Sequence, residues 1–337
     1  MSLPSFEGRT VLVTGATGFV GSHLARRLSQ ERARLKLLVR DSARVPSDLG
    51  AHAEICVGDL NDAMTLGRAV QGADWVFHCA ANVSTWDRAE HYEAANVTGV
   101  RHLMQAIEAQ TARPQRLVHV STVDVYGLPA HPCDESSTPC HPGFGYGDSK
   151  LRGERVVHEH AQRMGLPYVI LRPTNVMGPG SPFIERVGRE LQSGLMLRVA
   201  GGATDAGFLY VENLVDCLLW AARAPQAVGE TYNVADSEAI TWRRFLDDLR
   251  QGLGGKGWIL DLPYPVAYAA AAVVEAPYRL LRTRSEPLLH RMIVKIFGRT
   301  CGHSAVKLAA AGCPVSRIGY AQGMAESIAW FQANHLR

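Results

Sequence analysis

The run Thr10-Val11-Leu12-Val13-Thr14-Gly15-Ala16-Thr17-Gly18-Phe19-Val20-Gly21 decides the architecture. Thr10–Thr14 is β-branched and apolar throughout, as a buried strand requires, and from Phe19 to Gln30 apolar residues recur at helical spacing. Glycines 15, 18 and 21 fall in and just past the turn between them. A backbone that bends sharply there and approaches a pyrophosphate has no room for side chains, and the helix start presents free N–H groups to an anion. An ordinary glycine-rich turn would need no such context. The strand before and the helix after make Gly15, Thr17, Gly18, Phe19, Val20 and Gly21 candidate contacts to a dinucleotide.

Outward from this turn, strand-like runs at Leu35–Val39, Glu54–Val57, Trp75–His78, Leu117–Val120 and Tyr168–Leu171 alternate with helical stretches that include Glu90–Gln110 and Tyr146–Met164. Strict alternation predicts an α/β fold, a doubly wound parallel sheet of Rossmann type covered on both faces. After Pro173 the pattern becomes irregular, with helices expected at Ile184–Ser193, Glu212–Ala222 and Trp242–Leu253 and a strand at Thr231–Val234. The expected organisation is a dinucleotide-binding domain over residues 1–173 and a smaller, mainly helical substrate lobe over 174–337. The two interleave, some sheet strands returning from the C-terminal part.

With 337 residues, 47% hydrophobic and 20% charged content, the chain has the composition of a globular protein with a large core. Its formal charge of +3 is too small and too evenly spread over the first 260 residues to favour nucleic acid, which leaves a small molecule as the expected partner. The start carries no basic region followed by an apolar run, and the seven cysteines show no repeating spacing, so a cytoplasmic protein without disulfides is expected.

The second strand ends in Val39-Arg40-Asp41. Arg40 suits the 2′-phosphate of NADP through its planar fork, whereas Asp41 suits the ribose of NAD, so NADP is the preferred expectation and NAD the alternative. Asp59 and Leu60 follow the third strand, where Asp59 is placed to accept from an adenine amino group or to cap a helix.

Tyr146 and Lys150 stand four residues apart, on one face of a helix. A phenol near pKa ~10 works at neutral pH when a cation favours its ionised form, which Lys150 can supply while reaching the nicotinamide ribose. Ser121 and Thr122 close a strand, Thr122 lying 24 residues before Tyr146, and a hydroxyl there can bind the oxygen that Tyr146 protonates. Alone, a Tyr/Lys pair at this spacing is as readily a surface contact.

These motifs, together with His78-Cys79-Ala80-Ala81, Asn96-Val97-Thr98-Gly99 and Leu171-Arg172-Pro173-Thr174-Asn175-Val176-Met177-Gly178-Pro179, resemble the extended short-chain dehydrogenases/reductases, the NAD-dependent epimerase/dehydratase superfamily, over nearly the whole chain. The resemblance implies that Ala80 and Ala81 line the cofactor groove and that Asn96 supports the active-site helix. It places Pro173, Thr174, Asn175 and Val176 beside the nicotinamide and makes Thr122 the active-site hydroxyl, with Ser121 as fallback. It also implies a homodimer through two sheet-flanking helices. Read alone, Asn96 is a helix polar residue and Pro173 a strand terminator.

Members acting on nucleotide sugars carry an Arg-Asp pair where this chain has Ala206-Gly207 before Phe208-Leu209-Tyr210-Val211-Glu212-Asn213. That form is closer to the 3β-hydroxysteroid dehydrogenase group, which implies oxidoreduction of a secondary alcohol or ketone on a lipophilic substrate, 3β-hydroxysteroid-like or a β-hydroxy/keto compound. A nucleotide-sugar epimerase or dehydratase is the alternative, and a regulator without chemistry the third reading. No metal is expected, because His131, Cys133, Cys140 and His141 match no common zinc spacing. From Glu275 to Arg299 six Lys/Arg (279, 282, 284, 291, 295, 299) stand against Glu275 and Glu286, a balance of +4 beside apolar residues. Either this segment packs on the substrate lobe with a solvated basic face, or it forms a greasy lid that touches anionic membranes.

Overall fold

The computed structural model describes residues 3–127, 129, 131–140, 145–255, 257–281, 283 and 285–336. The first half of the chain supplies six parallel strands, β1 (Thr10–Thr14), β2 (Arg34–Val39), β3 (Ala53–Val57), β4 (Trp75–His78), β5 (Arg116–Val120) and β6 (Tyr168–Pro173). Three short strands, β7 (Asn175–Met177), β8 (Leu195–Val199) and β9 (Phe208–Tyr210), precede β10 (Thr231–Val234), which returns to the sheet, and β11 (Trp258–Leu262). The sheet order is β10-β6-β5-β4-β1-β2-β3, and every pairing is parallel. The order reverses between β1 and β4, so the crevice at their carboxyl ends is the expected ligand site of an open α/β sheet.

Alternation along each strand sends side chains to two cores. Val13, Leu37, Phe77 and Val118 face α1 (Phe19–Gln30). Leu12, Leu38, Val76 and Ile170 face the other side. That side is covered, after the short α2 (Ser47–Gly50), by α3 (Ala63–Val70), then by α4 (Ala89–Glu93), α5 (Gly99–Glu108) and α6 (Gly145–Met164). The helix expected over Glu90–Gln110 is broken: Ala94–Thr98 forms a turn of π-helix between α4 and α5. Its cause lies in Asn96, whose buried side chain is drawn inward by bonds to Asn82 and Ser149.

The later helices are α7 (Pro182–Ser193), α8 (Val211–Arg223), α9 (Trp242–Gly252), α10 (Tyr264–Leu280), α11 (Arg291–Gly298), α12 (Val306–Ala310) and α13 (Tyr320–His335). Leu214 and Leu218 of α8 join the sheet core beside α1. The substrate lobe has its own core, in which Phe208 stacks near Phe245 (4.2 Å between ring centres) and Trp242 near Phe297 (4.4 Å). Ala267 and Ala271 of α10 and Val294 and Phe297 of α11 are buried in it, so the 264–299 segment packs on the lobe. Two small parallel pairs, β7 with β9 and β8 with β11, brace this region.

Candidate active site

The glycine turn is shaped by close approach. Gly15 has φ +73°, and a Cβ there would lie 2.7 Å from the Ala80 nitrogen, so the turn rests directly on the end of β4. A Cβ on Gly21 would sit 2.2 Å from the Gly15 carbonyl oxygen, which is why α1 begins so near β1. Side chains cap α3, α7 and α9, through Asp62, Ser181 and Thr241. Gly18 offers α1 no such cap, and the first turn of α1 holds no acidic residue. Its positive end is thus left for an outside anion. A cavity of about 340 Å³ beside it is lined by Thr17, Gly18, Phe19, His23, Pro179 and Trp330. Val20 packs into the sheet core, and Ala80 N–H donates to Thr14 Oγ1 (3.2 Å) while Ala81 stays half-buried. An uncapped helix start and a turn with no room for Cβ atoms fit a dinucleotide's pyrophosphate.

At the end of β2, Arg40 is exposed. Asp41 is already engaged, its carboxylate accepting from Ala43 N–H (3.0 Å) to cap a short turn. Asp59 accepts from the backbone and side-chain N–H groups of Asn61 (2.9 and 2.8 Å) at the exposed surface, and the cap of α3 is Asp62. Leu60 is buried against Gly99, where a Cβ would come within 2.9 Å of it.

At the carboxyl end of β5 the extended backbone turns neighbouring hydroxyls apart. Thr122 faces the Tyr146 phenol, whose ionised form its hydroxyl favours, and accepts from Asp124 N–H (3.2 Å). Ser121 instead donates to Glu154, which is paired with Arg172 (2.6 Å). Arg172 also donates to Tyr126 Oη (2.8 Å), and Tyr126 to Asn233 (3.0 Å), a closed buried network. Burial, with Asp124 nearby, pushes the Tyr146 phenol well above its ordinary range, so in the absence of ligands it keeps its proton.

Lys150 is buried and donates to the Val120 carbonyl (2.7 Å). Burial lowers its pKa to about 8, against the opposing pull of Glu154 and Cys79. Its charge is felt by His78, Cys79 and His119, so it forms the floor of the crevice between β4 and β5. Asn96 Oδ1 accepts from Asn82 N–H (2.8 Å), while its Nδ2 donates to the Asn82 carbonyl and to Ser149 Oγ (both 2.9 Å), tying α6 to the loop after β4.

Past β6, Pro173 is buried and Thr174 N–H donates to the Val234 carbonyl (3.0 Å). Asn175 Nδ2 donates to the Ala206 carbonyl (2.6 Å), and Val176 packs on the sheet core, so this stretch carries the chain from sheet to lobe. Ala206 is fully buried, and at Gly207 (φ +61°) a Cβ would lie 2.2 Å from the Cys301 carbonyl oxygen. A larger side chain at either position would displace this packing.

Two features escaped the sequence reading. Asp124 lies inside an apolar Val-Asp-Val-Tyr run that reads as a strand end, and its proximity to Tyr146 emerges only from the turn at 123–126. His119 stacks on His78 (5.3 Å between ring centres), both buried, on sheet positions paired across β4 and β5. Nothing in either local sequence announces that contact. Among the described residues no group of three or more His, Cys, Asp or Glu gathers as metal ligands; Cys140 donates to the Tyr126 carbonyl (3.1 Å), Cys133 N–H to His303 (3.0 Å), and His141 lies outside the described residues.

Residues 11–235 match the model of the NAD dependent epimerase/dehydratase family, and the chain belongs to that family. It is an NAD(P)-dependent enzyme of the short-chain dehydrogenase/reductase type. It is 30% identical to the 4-hydroxy-2-methyl-3-oxo-4-farnesyl-3,4-dihydroquinoline-1-oxide ketoreductase of Stigmatella aurantiaca, over 85% of this chain and 86% of that one. It is 28% identical to the 3beta-hydroxysteroid-dehydrogenase/decarboxylase isoform 1 of Arabidopsis thaliana, over 81% of this chain and 68% of that one. The fold is shared with UDP-glucuronic acid 4-epimerase from Bacillus cereus, solved with UDP-glucuronic acid and NAD (TM-score 0.77, 20% identity, 96% of this chain and 99% of that one).

Proposed function

We propose that the protein reduces a ketone, or oxidises the matching secondary alcohol, on a lipophilic substrate, with Tyr146 as proton donor and acceptor. The observation that carries this reading is the placement of the Thr122 hydroxyl beside the Tyr146 phenol, with the buried Lys150 ammonium held at the end of the same strand. A nicotinamide cofactor, when bound, supplies or takes up the hydride. The chain's own residues do the rest. Gly15, Thr17, Gly18, Phe19, Val20 and Gly21 hold the pyrophosphate, Asp59 and Leu60 flank the adenine, and Ala80, Ala81 and Pro173 to Val176 line the groove. Thr122 and Tyr146 grip the reacting oxygen, and the protonated phenol delivers its proton as a carbonyl is reduced. Lys150 steadies the ribose and, by its charge, favours the phenolate in the reverse direction.

NADP is the proposed cofactor, because Arg40 is exposed while Asp41 is spent on its own turn. A lipophilic substrate is supported by Ala206-Gly207, which brings no arginine to a diphosphate, and by relatives whose names carry farnesyl and steroid groups. Entry from a lipid surface fits α10, whose outward Val266, Val273 and Leu280 are exposed, with Leu281 beyond them. Its charge is partly neutralised, since Arg279 and Arg291 both bind the buried Glu275, and Arg282 and Arg284 lie outside the described residues. Among the described residues no helix is long and apolar enough to cross a membrane, so the contact proposed is peripheral.

The deciding experiment screens sterols, aliphatic β-hydroxy acids, aryl ketones and UDP-sugars, following NADPH and NADH absorbance for net oxidoreduction and chromatography of the UDP-sugars for redox-neutral conversion. Turnover confined to lipophilic alcohols or ketones is expected. Efficient use of a UDP-sugar would transfer the case to the epimerase alternative.

A further inference from the structure

Carboxylates enclosed in this protein are matched by donors. Glu154 receives Arg172 and Ser121, Glu275 receives Arg279 and Arg291, and Asp236 receives Tyr210 N–H and Asn213. Asp124 is the exception among the described residues: burial pushes its carboxyl up to about 6, and neither a hydrogen bond nor a cation opposes that rise. Its surroundings are those of the reaction site. Its N–H binds Thr122 Oγ1, and its charge acts on the Tyr146 phenol from α6 and on the Cys301 thiol from the substrate lobe. Asp124 and Tyr146 both keep part of their surface open. A largely buried carboxylate that takes no donor from the protein and opens beside the reacting phenol points to a donor that arrives with the ligand.

We propose that Asp124 is a specificity-determining residue that accepts a hydrogen bond from a hydroxyl on the carbon next to the one exchanging hydride, so that the preferred substrates are lipophilic α-hydroxy ketones and vicinal diols. This rests on the function proposed above. Thr122 and Tyr146 take the reacting oxygen, and Asp124, two residues along the same tight turn, meets the neighbouring group. A β-keto acid, whose carboxylate would face that of Asp124, is disfavoured by like-charge repulsion.

The test uses the full chain with benzoin and its deoxy analogue deoxybenzoin, with NADPH as reductant. Wild type should favour benzoin in kcat/KM by about tenfold or more, because a site built to bind a hydroxyl discriminates against a substrate lacking it. Asp124→Ala should bring that ratio near one, and Asp124→Asn, which keeps an acceptor oxygen, should retain part of it. A ratio near one in wild type, or one unmoved by Asp124→Ala, overturns the proposal. Calorimetric titration with each ketone separates this from the enzyme reading: if neither is reduced, the oxidoreductase assignment fails, while a benzoin preference in binding that disappears in Asp124→Ala still supports Asp124. Equal or absent binding of the two ketones overturns it. Stability gives a second readout. A carboxyl whose folded pKa is raised loses stability as pH climbs from about 4 through about 6, so Asp124→Asn should melt above wild type at pH 7.5 and level with it near pH 4. A lower melting temperature at pH 7.5 would show that the carboxylate already has a partner.

Discussion

Ser121 and Thr122 carry almost the same side chain one residue apart, and their surroundings differ in one respect, whether the polar groups around them are saturated. Behind β5, Ser121, Glu154, Arg172, Tyr126 and Asn233 complete one another's hydrogen bonds. In front of it, Thr122, Asp124 and Tyr146 share one bond, from Asp124 N–H to Thr122 Oγ1, and Asp124 and Tyr146 keep open surface beyond it. A saturated buried network holds a fold together and binds nothing further. An unsaturated one keeps donors and acceptors for a ligand. The contrast assigns the closed group to stability and the open group to chemistry, and substitution can separate the two.

The largest effect is expected in the open group. Tyr146→Phe keeps the ring and its packing but removes the transferable proton, so kcat should fall by about 10³-fold while cofactor affinity and melting temperature hold. Near-normal turnover would remove Tyr146 from the reaction. In the closed group, Glu154→Leu strands the Arg172 guanidinium without its carboxylate, and urea unfolding should show a loss of about 3–5 kcal/mol. A loss below about 1 kcal/mol would mean that the network is not the brace its saturation implies.

How much of this was legible in the sequence depends on the range of the interaction. The strands, α1 and the glycine turn are local: periodicity and the absence of Cβ atoms fix them, and Thr10–Thr14 and Phe19–Gln30 are found over the ranges expected. The break at Ala94–Thr98 was not legible, because Glu90–Gln110 has an unbroken helical pattern and the π turn answers to Asn82 and Ser149, distant in the chain. The resemblance ranks Thr122 before Ser121, but the physical ground for that order, the turning of Ser121 to Glu154 on α6, lies in a contact distant in the chain. The paired strands β7 and β9 are runs of three residues, too short to carry a periodic signal, and β8 and β11 lie where the alternation of strand and helix has become irregular.

The histidine pair extends the contrast to pH. His78 Nδ1 meets Thr14 Oγ1 (2.8 Å), but His78 Nε2 and both ring nitrogens of His119 have no protein partner. Burial lowers the His78 pKa to about 3 and that of His119 well below the usual range, with the Lys150 charge adding to both. The unfolded chain therefore takes up protons below about pH 6.5 that the folded chain refuses, and stability is lost as pH falls from there toward 3. Between pH 7.5 and pH 5 His78 accounts for a loss of about 2 kcal/mol, and His119 adds a loss of the same sign. His119→Leu should shrink the difference between urea melts at those two values. An unchanged difference would show that His119 protonates freely in the folded protein.

The smallest effect concerns the edge of the cofactor site, where the same reasoning meets solvent. Arg40 is exposed, and its neighbour Asp41 is occupied by Ala43 N–H, so the pair divides as the buried hydroxyls do, one group closed and one open. An open guanidinium at the end of β2 matches a 2′-phosphate in charge and in its planar fork, whereas a ribose hydroxyl there offers it nothing comparable. Because the contact is exposed and screened by salt, its worth is modest. Arg40→Ala should raise the Kd for NADPH by about tenfold, which is about 1.4 kcal/mol, and leave that for NADH within about twofold. The difference should narrow as ionic strength rises, since a phosphate contact is screened and a hydroxyl contact is not. Equal weakening of both cofactors would make Arg40 a bystander. Tighter NADH binding in wild type than in Asp41→Asn would instead show that Asp41 leaves its turn to take the ribose, and the preferred cofactor would be NAD.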